Sequence, residues 1–176
     1  MIDPNSTNNT ATGFSATRVS TQFTIRIQAS PDAVFALACP KEELKWIDQW
    51  QYEMIYSDSG KNENNCIFKE KLSGLFVLNA PDMDTYWHTT LYDRESRRFH
   101  ALLIYGNAGA GKFECEIADA DNGVSKADWR LTFTALNDQG NRLADTDLKA
   151  RMTGMLQFLG ESAKHYLETG TMLKTG

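Results

Sequence analysis

The chain has 176 residues, the length of one ordinary domain, and carries Lys+Arg 18 against Asp+Glu 23 for a formal net charge of -5. That balance gives no electrostatic pull toward phosphate backbones or anionic membranes, which argues against a nucleic-acid partner, and no apolar run approaches the ~20 residues of a membrane span. Cys39, Cys66 and Cys115 form an odd set without Cys-x-x-Cys spacing, and no basic-then-apolar leader opens the sequence, so a reduced, cytoplasmic protein is expected, either monomer or homodimer.

Residues 1–17 are small and polar, with no apolar period to offset the entropy of ordering, and are expected to be a mobile tail before a single domain over residues 18–173. From Val19 to Gln28 the residues Val19, Thr21, Phe23, Ile25 and Ile27 alternate with Ser20, Gln22, Thr24, Arg26 and Gln28, the period of a half-buried strand. Ser30-Pro31-Asp32 then supplies an N-cap, a first-turn proline and a first-turn acid, predicting a helix from Pro31 to about Cys39. Pro40 interrupts it. Glu42, Glu43, Leu44, Trp46 and Ile47 predict a second short helix with Leu44 and Ile47 on its apolar side.

Beyond Trp50 the signals are those of short strands, over about 50–57, 65–72, 85–93, 98–106, 111–119 and 124–136, punctuated by Ser/Asp/Asn/Gly turns. In the last of them Ala127, Trp129, Leu131, Phe133 and Ala135 share one face. The inward face of 85–93 stays open, because Thr85-Trp87-Thr89-Leu91 and Tyr86-His88-Thr90-Tyr92 both qualify. Leu75-Phe76-Val77-Leu78 is either a strand extension or a lid. After Asn137-Asp138-Gln139-Gly140 the period becomes 3.6, with Leu148, Met152, Met155, Leu156, Leu159, Ala163, Tyr166 and Leu167 on one stripe. A helix from about Asn141 to Thr169, stopped by Gly170, is expected to run on the order of 40 Å.

This order places a curved sheet against one long helix. The stretch Phe23 to Phe35 (FTIRIQASPDAVF), Trp46, and Thr132 to Asn141 (TFTALNDQGN) resemble the START-like, birch-pollen-allergen-like superfamily, whose members are often labelled polyketide cyclase/dehydrase or lipid-transport proteins. The resemblance covers about Arg18 to Leu173. It implies an α+β helix-grip fold, a seven-stranded curved antiparallel sheet wrapped round the C-terminal helix with a cavity between.

A curved sheet and a straight helix do not pack flush, so space remains unless large side chains fill it. Candidate walls are Trp46, Trp50, Phe68, Trp87, Tyr105 and Trp129, with Met152, Met155 and Leu156 on the helix, and His88, Tyr92 or Tyr105 as orienting groups. The alternative is that these residues meet and fill the core. Gly154 and Gly160 either permit close helix-to-sheet approach or bend the helix.

Other motifs carry less. Gly106-Asn-Ala-Gly-Ala-Gly-Lys112 matches G-x-x-x-x-G-K, but Phe113 stands where a hydroxyl should hold magnesium and the next residues alternate like a strand, so a hairpin loop is expected. His88, His100 and His165 are too few and dispersed for zinc, and no nucleophile elbow or Cys-His signature occurs, so neither metal nor cofactor is implied. His88 is the candidate acid/base, unless it simply faces outward. The leading expectation is a container for a small hydrophobic or amphipathic molecule. A cyclase/dehydratase-like enzyme in the same cavity and an interaction module of the chaperone-activator type are the alternatives.

Overall fold

The computed structural model describes residues 13–174, so most of the expected tail, residues 1–12, lies outside the described residues. The end of that tail is held. Asn141 binds it twice, accepting from the Thr17 amide at 2.7 Å and donating to the Ser15 carbonyl at 2.9 Å.

β1 (Arg18–Ile27) alternates exposed and half-buried along its length, as its period of two requires. α1 (Pro31–Ala36) starts on Ser30, whose hydroxyl accepts from the Ala33 amide at 3.3 Å. Pro40 does not interrupt a helix but begins one, α2 (Pro40–Glu43), where its fixed φ and missing N–H suit the first turn. The apolar side differs from expectation as well. Leu44 is 49% exposed, while Trp46 and Ile47 are buried, because the turn continues through hydrogen bonds from the Trp46 and Ile47 amides to the Glu43 carbonyl.

Six strands follow: β2 (Tyr52–Tyr56), β3 (Ile67–Glu70), β4 (Thr85–Asp93), β5 (Arg98–Tyr105), β6 (Gly109–Asp119) and β7 (Ser125–Ala135). With β1 they form one antiparallel sheet in the order β1-β7-β6-β5-β4-β3-β2, so the chain's first strand closes against its last. β4 resolves its ambiguous face. Thr85, Trp87 and Thr89 are buried and Tyr86 and Thr90 exposed; a bulge between Thr89 and Leu91 then switches the parity and brings Tyr92 inward onto Phe35 and Phe99. The Gly106–Lys112 segment is the β5–β6 hairpin. It opens no helix, and Lys112 pairs with Glu114 on the outer surface at 2.7 Å.

Residues 73–78 are not a strand extension but a short helix, α3 (Ser73–Leu78), whose Phe76 ring stacks on Phe158 at 6.1 Å. The single long helix expected over 141–169 is two. α4 (Asp138–Leu143) is capped by the Asn137 side chain, and α5 (Leu148–Thr169) runs 22 residues, about 33 Å at 1.5 Å per residue. Gly140 explains the first piece: a Cβ there would lie 2.0 Å from the Ala108 carbonyl oxygen, so α4 packs its backbone against the β5–β6 hairpin. α5 stops at Gly170, in the left-handed region at φ 74°. No helix among the described residues is long and apolar enough to cross a membrane.

The core lies between the concave face of the sheet and α5. The two helix glycines differ. At Gly160 an added Cβ would sit 2.8 Å from the Phe23 ring and 3.3 Å from Trp129, whereas Gly154 has nothing within 4 Å. Gly154→Ala is therefore expected to raise stability by about 0.5–1 kcal/mol, and Gly160→Ala to lower it by about 1–3 kcal/mol through overpacking. Urea unfolding of the two variants checks the opposite signs, and equal effects would remove the close-approach explanation.

Candidate functional site

A partly enclosed cavity opens between α5, the α1–α2 segment, α3 and the inner faces of β3, β4, β5, β6 and β7. All four tryptophans of the chain, Trp46, Trp50, Trp87 and Trp129, line it, together with Phe68, Phe76, Phe99, Phe113 and Phe158. The rings arrive from different elements because strand parity and helix period both point there. Phe68 and Trp87 stack at 5.7 Å, and Trp87 meets Phe113 edge-on at 5.4 Å. Their bulk fills much of the space that a curved sheet leaves under a helix. What remains is about 70 Å³, counted over the centres of the waters it can hold. That is roughly five waters at ~10–15 Å³ each, or ~150 Å³ of liquid, room for one ring with a short arm.

Few polar groups reach this wall. Three of the four indoles are satisfied: Trp50 Nε1 donates to the Pro40 carbonyl at 2.8 Å, Trp87 Nε1 to Glu70 Oε2 at 2.5 Å, and Trp129 Nε1 to Cys115 Sγ at 3.0 Å. Trp46 Nε1 is buried without a partner among the described residues, and so is Glu43 Oε2. Asn62 is occupied, donating to the Ala38 carbonyl at 2.8 Å and accepting from the Thr89 hydroxyl at 2.7 Å. No Lys, Arg or His lines the cavity.

Two carboxyls therefore face an apolar space. Glu43 is half-buried as a residue, but its Oε2 is shut off from solvent. Burial holds its carboxyl well above the usual carboxylate range, and the charge of Glu70 adds to the shift. Glu70, at the end of β3, is 5% exposed and shares a rung with Thr85 of β4 and Tyr105 of β5. That rung is polar: Thr85 Oγ1 and Tyr105 Oη are buried with no partner among the described residues. Tyr105 titrates far above an ordinary phenol, first through burial and then through Glu70. Burial likewise pushes the Cys66 thiol up to about 11 and the Cys115 thiol up to about 12.

Of the residues singled out in the sequence, Trp46, Trp50, Phe68, Trp87, Trp129 and Met155 stand on the wall. Tyr105, Met152 and Leu156 are fully buried behind it. Tyr92 packs on Phe35 and Phe99, off the cavity. His88 is the correction. It lies on the outer side of β4, opposite Leu102, because Trp87 takes the inward position, so it is no cavity acid or base. The carboxyls that do line the wall are those of Glu43 and Glu70. No cluster of three metal-ligating side chains occurs among the described residues.

Neither a family model nor a curated protein sequence matches the chain. Solved structures do. Ara h 8.0201 is 13% identical with a TM-score of 0.65, covering 87% of this chain and 99% of its own. A START superfamily protein from Mycobacterium smegmatis is 10% identical with a TM-score of 0.63, covering 86% of this chain and 99% of its own. The Zhui aromatase/cyclase from Streptomyces sp. R1128 is 9% identical with a TM-score of 0.61, covering 89% of this chain and 100% of its own. At these identities the likeness is one of architecture. The chain thus has the START-like, birch-pollen-allergen-like helix-grip fold.

Proposed function

We propose that this protein binds a small hydrophobic or amphipathic molecule in the cavity between its sheet and C-terminal helix. The supporting observation is the convergence of all four tryptophans, from the α2 turn, β4 and β7, on one partly enclosed space. Aromatic residues in a filled core leave no such room, and satisfied indoles on a dry wall present flat apolar faces to a guest. Burying about 200 Å² of a one-ring guest at ~25 cal/mol per Å² gives about 5 kcal/mol before the cost of association. A micromolar-to-millimolar dissociation constant is the expected scale.

Gently purified protein examined by native mass spectrometry is expected to carry a near-stoichiometric small adduct, or to take one up from an extract of host metabolites. The released compound should be no larger than one ring with a short arm. A clean apo mass, with no uptake, would overturn the container reading.

One observation supports an enzyme of the cyclase or dehydratase type as a second reading: burial raises the Glu43 carboxyl well above the usual carboxylate range inside an apolar space, a shift in the direction a general acid needs. Incubating the protein with the compound it carries and following the mass of that compound separates the two. Loss of one water, or ring closure, abolished in Glu43→Gln, marks an enzyme; an unchanged compound marks a carrier.

A further inference from the structure

We infer that the cavity takes a neutral alcohol or phenol: one ring with a short arm, whose hydroxyl group accepts from Trp46 Nε1 and meets Glu43 Oε2. This deepens the container reading and rests on it.

The fold leaves two polar atoms open on one turn of this wall. Trp46 is 4% exposed, and its Nε1 has no partner among the described residues; Glu43 Oε2 is buried in the same state. Both residues line the cavity. They are one turn apart: the Trp46 amide donates to the Glu43 carbonyl at 3.2 Å, and side chains at this spacing stand roughly 5–6 Å apart at Cβ. Buried polar atoms are almost always satisfied, so two open ones on the same turn mark the place of a polar group that the chain does not supply.

The nature of that group follows from what each atom can do. Nε1 only donates, so its partner must accept. Oε2 accepts when the carboxyl is ionised and can donate when it is protonated, and burial moves Glu43 toward the protonated form. An ammonium group cannot accept; an ether, a ketone or a carboxylate cannot donate. A hydroxyl does both, and so answers Nε1 and Oε2 whichever form the carboxyl takes. A primary amide also does both, but it must dry a second N–H against a wall made mostly of aromatic and aliphatic side chains.

The rest of the wall asks for an apolar body. Glu70 is already engaged by Trp87 Nε1 at 2.5 Å, and the Trp50 and Trp129 indoles donate to groups of the chain itself. No Lys, Arg or His lines the space to receive an anion. Size sets the remaining limit, at one ring with a short arm.

Four probes of one size test this: 2-phenylethanol, which both donates and accepts; propylbenzene, which does neither; benzyl methyl ether, which only accepts; and phenethylammonium, which only donates. Binding at neutral pH is read from the change in tryptophan fluorescence, since every tryptophan lines the cavity. Propylbenzene leaves water most readily, so an alcohol that overtakes it has found partners inside. The alcohol is expected to bind tightest, about threefold or more ahead of propylbenzene and about tenfold or more ahead of the other two. A lead by any other probe, or four equal affinities, overturns the hydroxyl assignment and leaves the container reading standing. In Trp46→Phe the alcohol should weaken about fivefold or more, while propylbenzene stays within about twofold. A change common to both probes would mean that the indole only shapes the wall, and overturns the assignment. If no probe binds, the compound taken up from a metabolite extract decides: one without a hydroxyl overturns the assignment, a one-ring compound bearing a hydroxyl supports it, and no uptake at all removes both readings. The wild-type ranking decides the matter even if the variant folds poorly.

Discussion

Replacing Glu43 by Met is expected to raise the stability of the protein by about 1–3 kcal/mol at pH 8, and by much less near pH 4.5. The gain follows from what the carboxyl endures. Its Oε2 atom is buried without a partner, and an unmet buried polar group costs about 1–3 kcal/mol. Met has similar length, an adaptable thioether and no such requirement. The pH dependence has a definite sign. Because the folded protein holds the Glu43 proton well above the pH at which the unfolded chain releases it, the native state binds more protons over that interval. Stability attached to this group is therefore full in acid and declines as the pH rises through the folded value, by up to ~1.4 kcal/mol per pH unit.

Other carboxyls act in the opposite direction. Glu63 is lowered to about 2 by the Ser57 hydroxyl and the Ser59 amide, Asp93 is lowered by Ser96, and Asp145 by Arg151. Their contribution is present at neutral pH and lost on acidification, so the wild-type curve mixes both signs. The difference between Glu43→Met and wild type across pH isolates the single group. A thermal shift of roughly 2–4 °C per kcal/mol is expected for a chain of this size. A difference that is flat with pH, or that grows toward acid, would show that the carboxyl is not desolvated.

Much of the fold was legible because its elements keep strict periods. β1 and β7 alternate without a break, and their register, Phe23 opposite Trp129 and Thr21 opposite Leu131, follows from which face is apolar. The elements that misled are those set by tertiary contact. Nothing local in Leu75–Leu78 says helix; α3 exists because Phe76 finds Phe158 on α5. The break between α4 and α5 depends on Gly140 meeting the Ala108 carbonyl, a contact between segments some thirty residues apart. Pro40 was read as a stop when its position served as a start.

The carboxyls were within reach of the same reasoning. Glu43, Trp46, Ile47 and Trp50 stand at spacings of three, four and seven, one face of a helical turn, and three of the four are apolar. Phe68 and Glu70 likewise share one face of β3, so a strand parity that buries Phe68 buries Glu70 with it. An acid on an apolar face was the signal. His88 drew attention instead because histidine titrates near neutrality, although strand parity had given its neighbour Trp87 an equal claim to the interior. Burial, not intrinsic acidity, decides which group on this wall is poised to exchange a proton.

Trp87 tests whether packing or hydrogen bonding dominates that wall. Its ring stacks on Phe68, meets Phe113 edge-on, and donates from Nε1 to Glu70 at 2.5 Å in a buried setting. Trp87→Ala removes all of this and is expected to cost about 3–5 kcal/mol, the range for emptying a large aromatic site. Trp87→Phe keeps a ring on the wall and removes the donor from a buried carboxyl, for which about 1–3 kcal/mol is expected. Urea unfolding midpoints at constant slope measure both. The ordering carries the argument. If Trp87→Phe costs its expected share of the Trp87→Ala loss, the hydrogen bond to Glu70 fixes this part of the sheet together with the aromatic packing. Should Trp87→Phe be neutral, Glu70 draws its stabilisation from elsewhere, and the aromatic packing alone shapes the wall. The first outcome is expected, because Glu70 is 5% exposed and a carboxyl so deeply placed responds strongly to the loss of a donor.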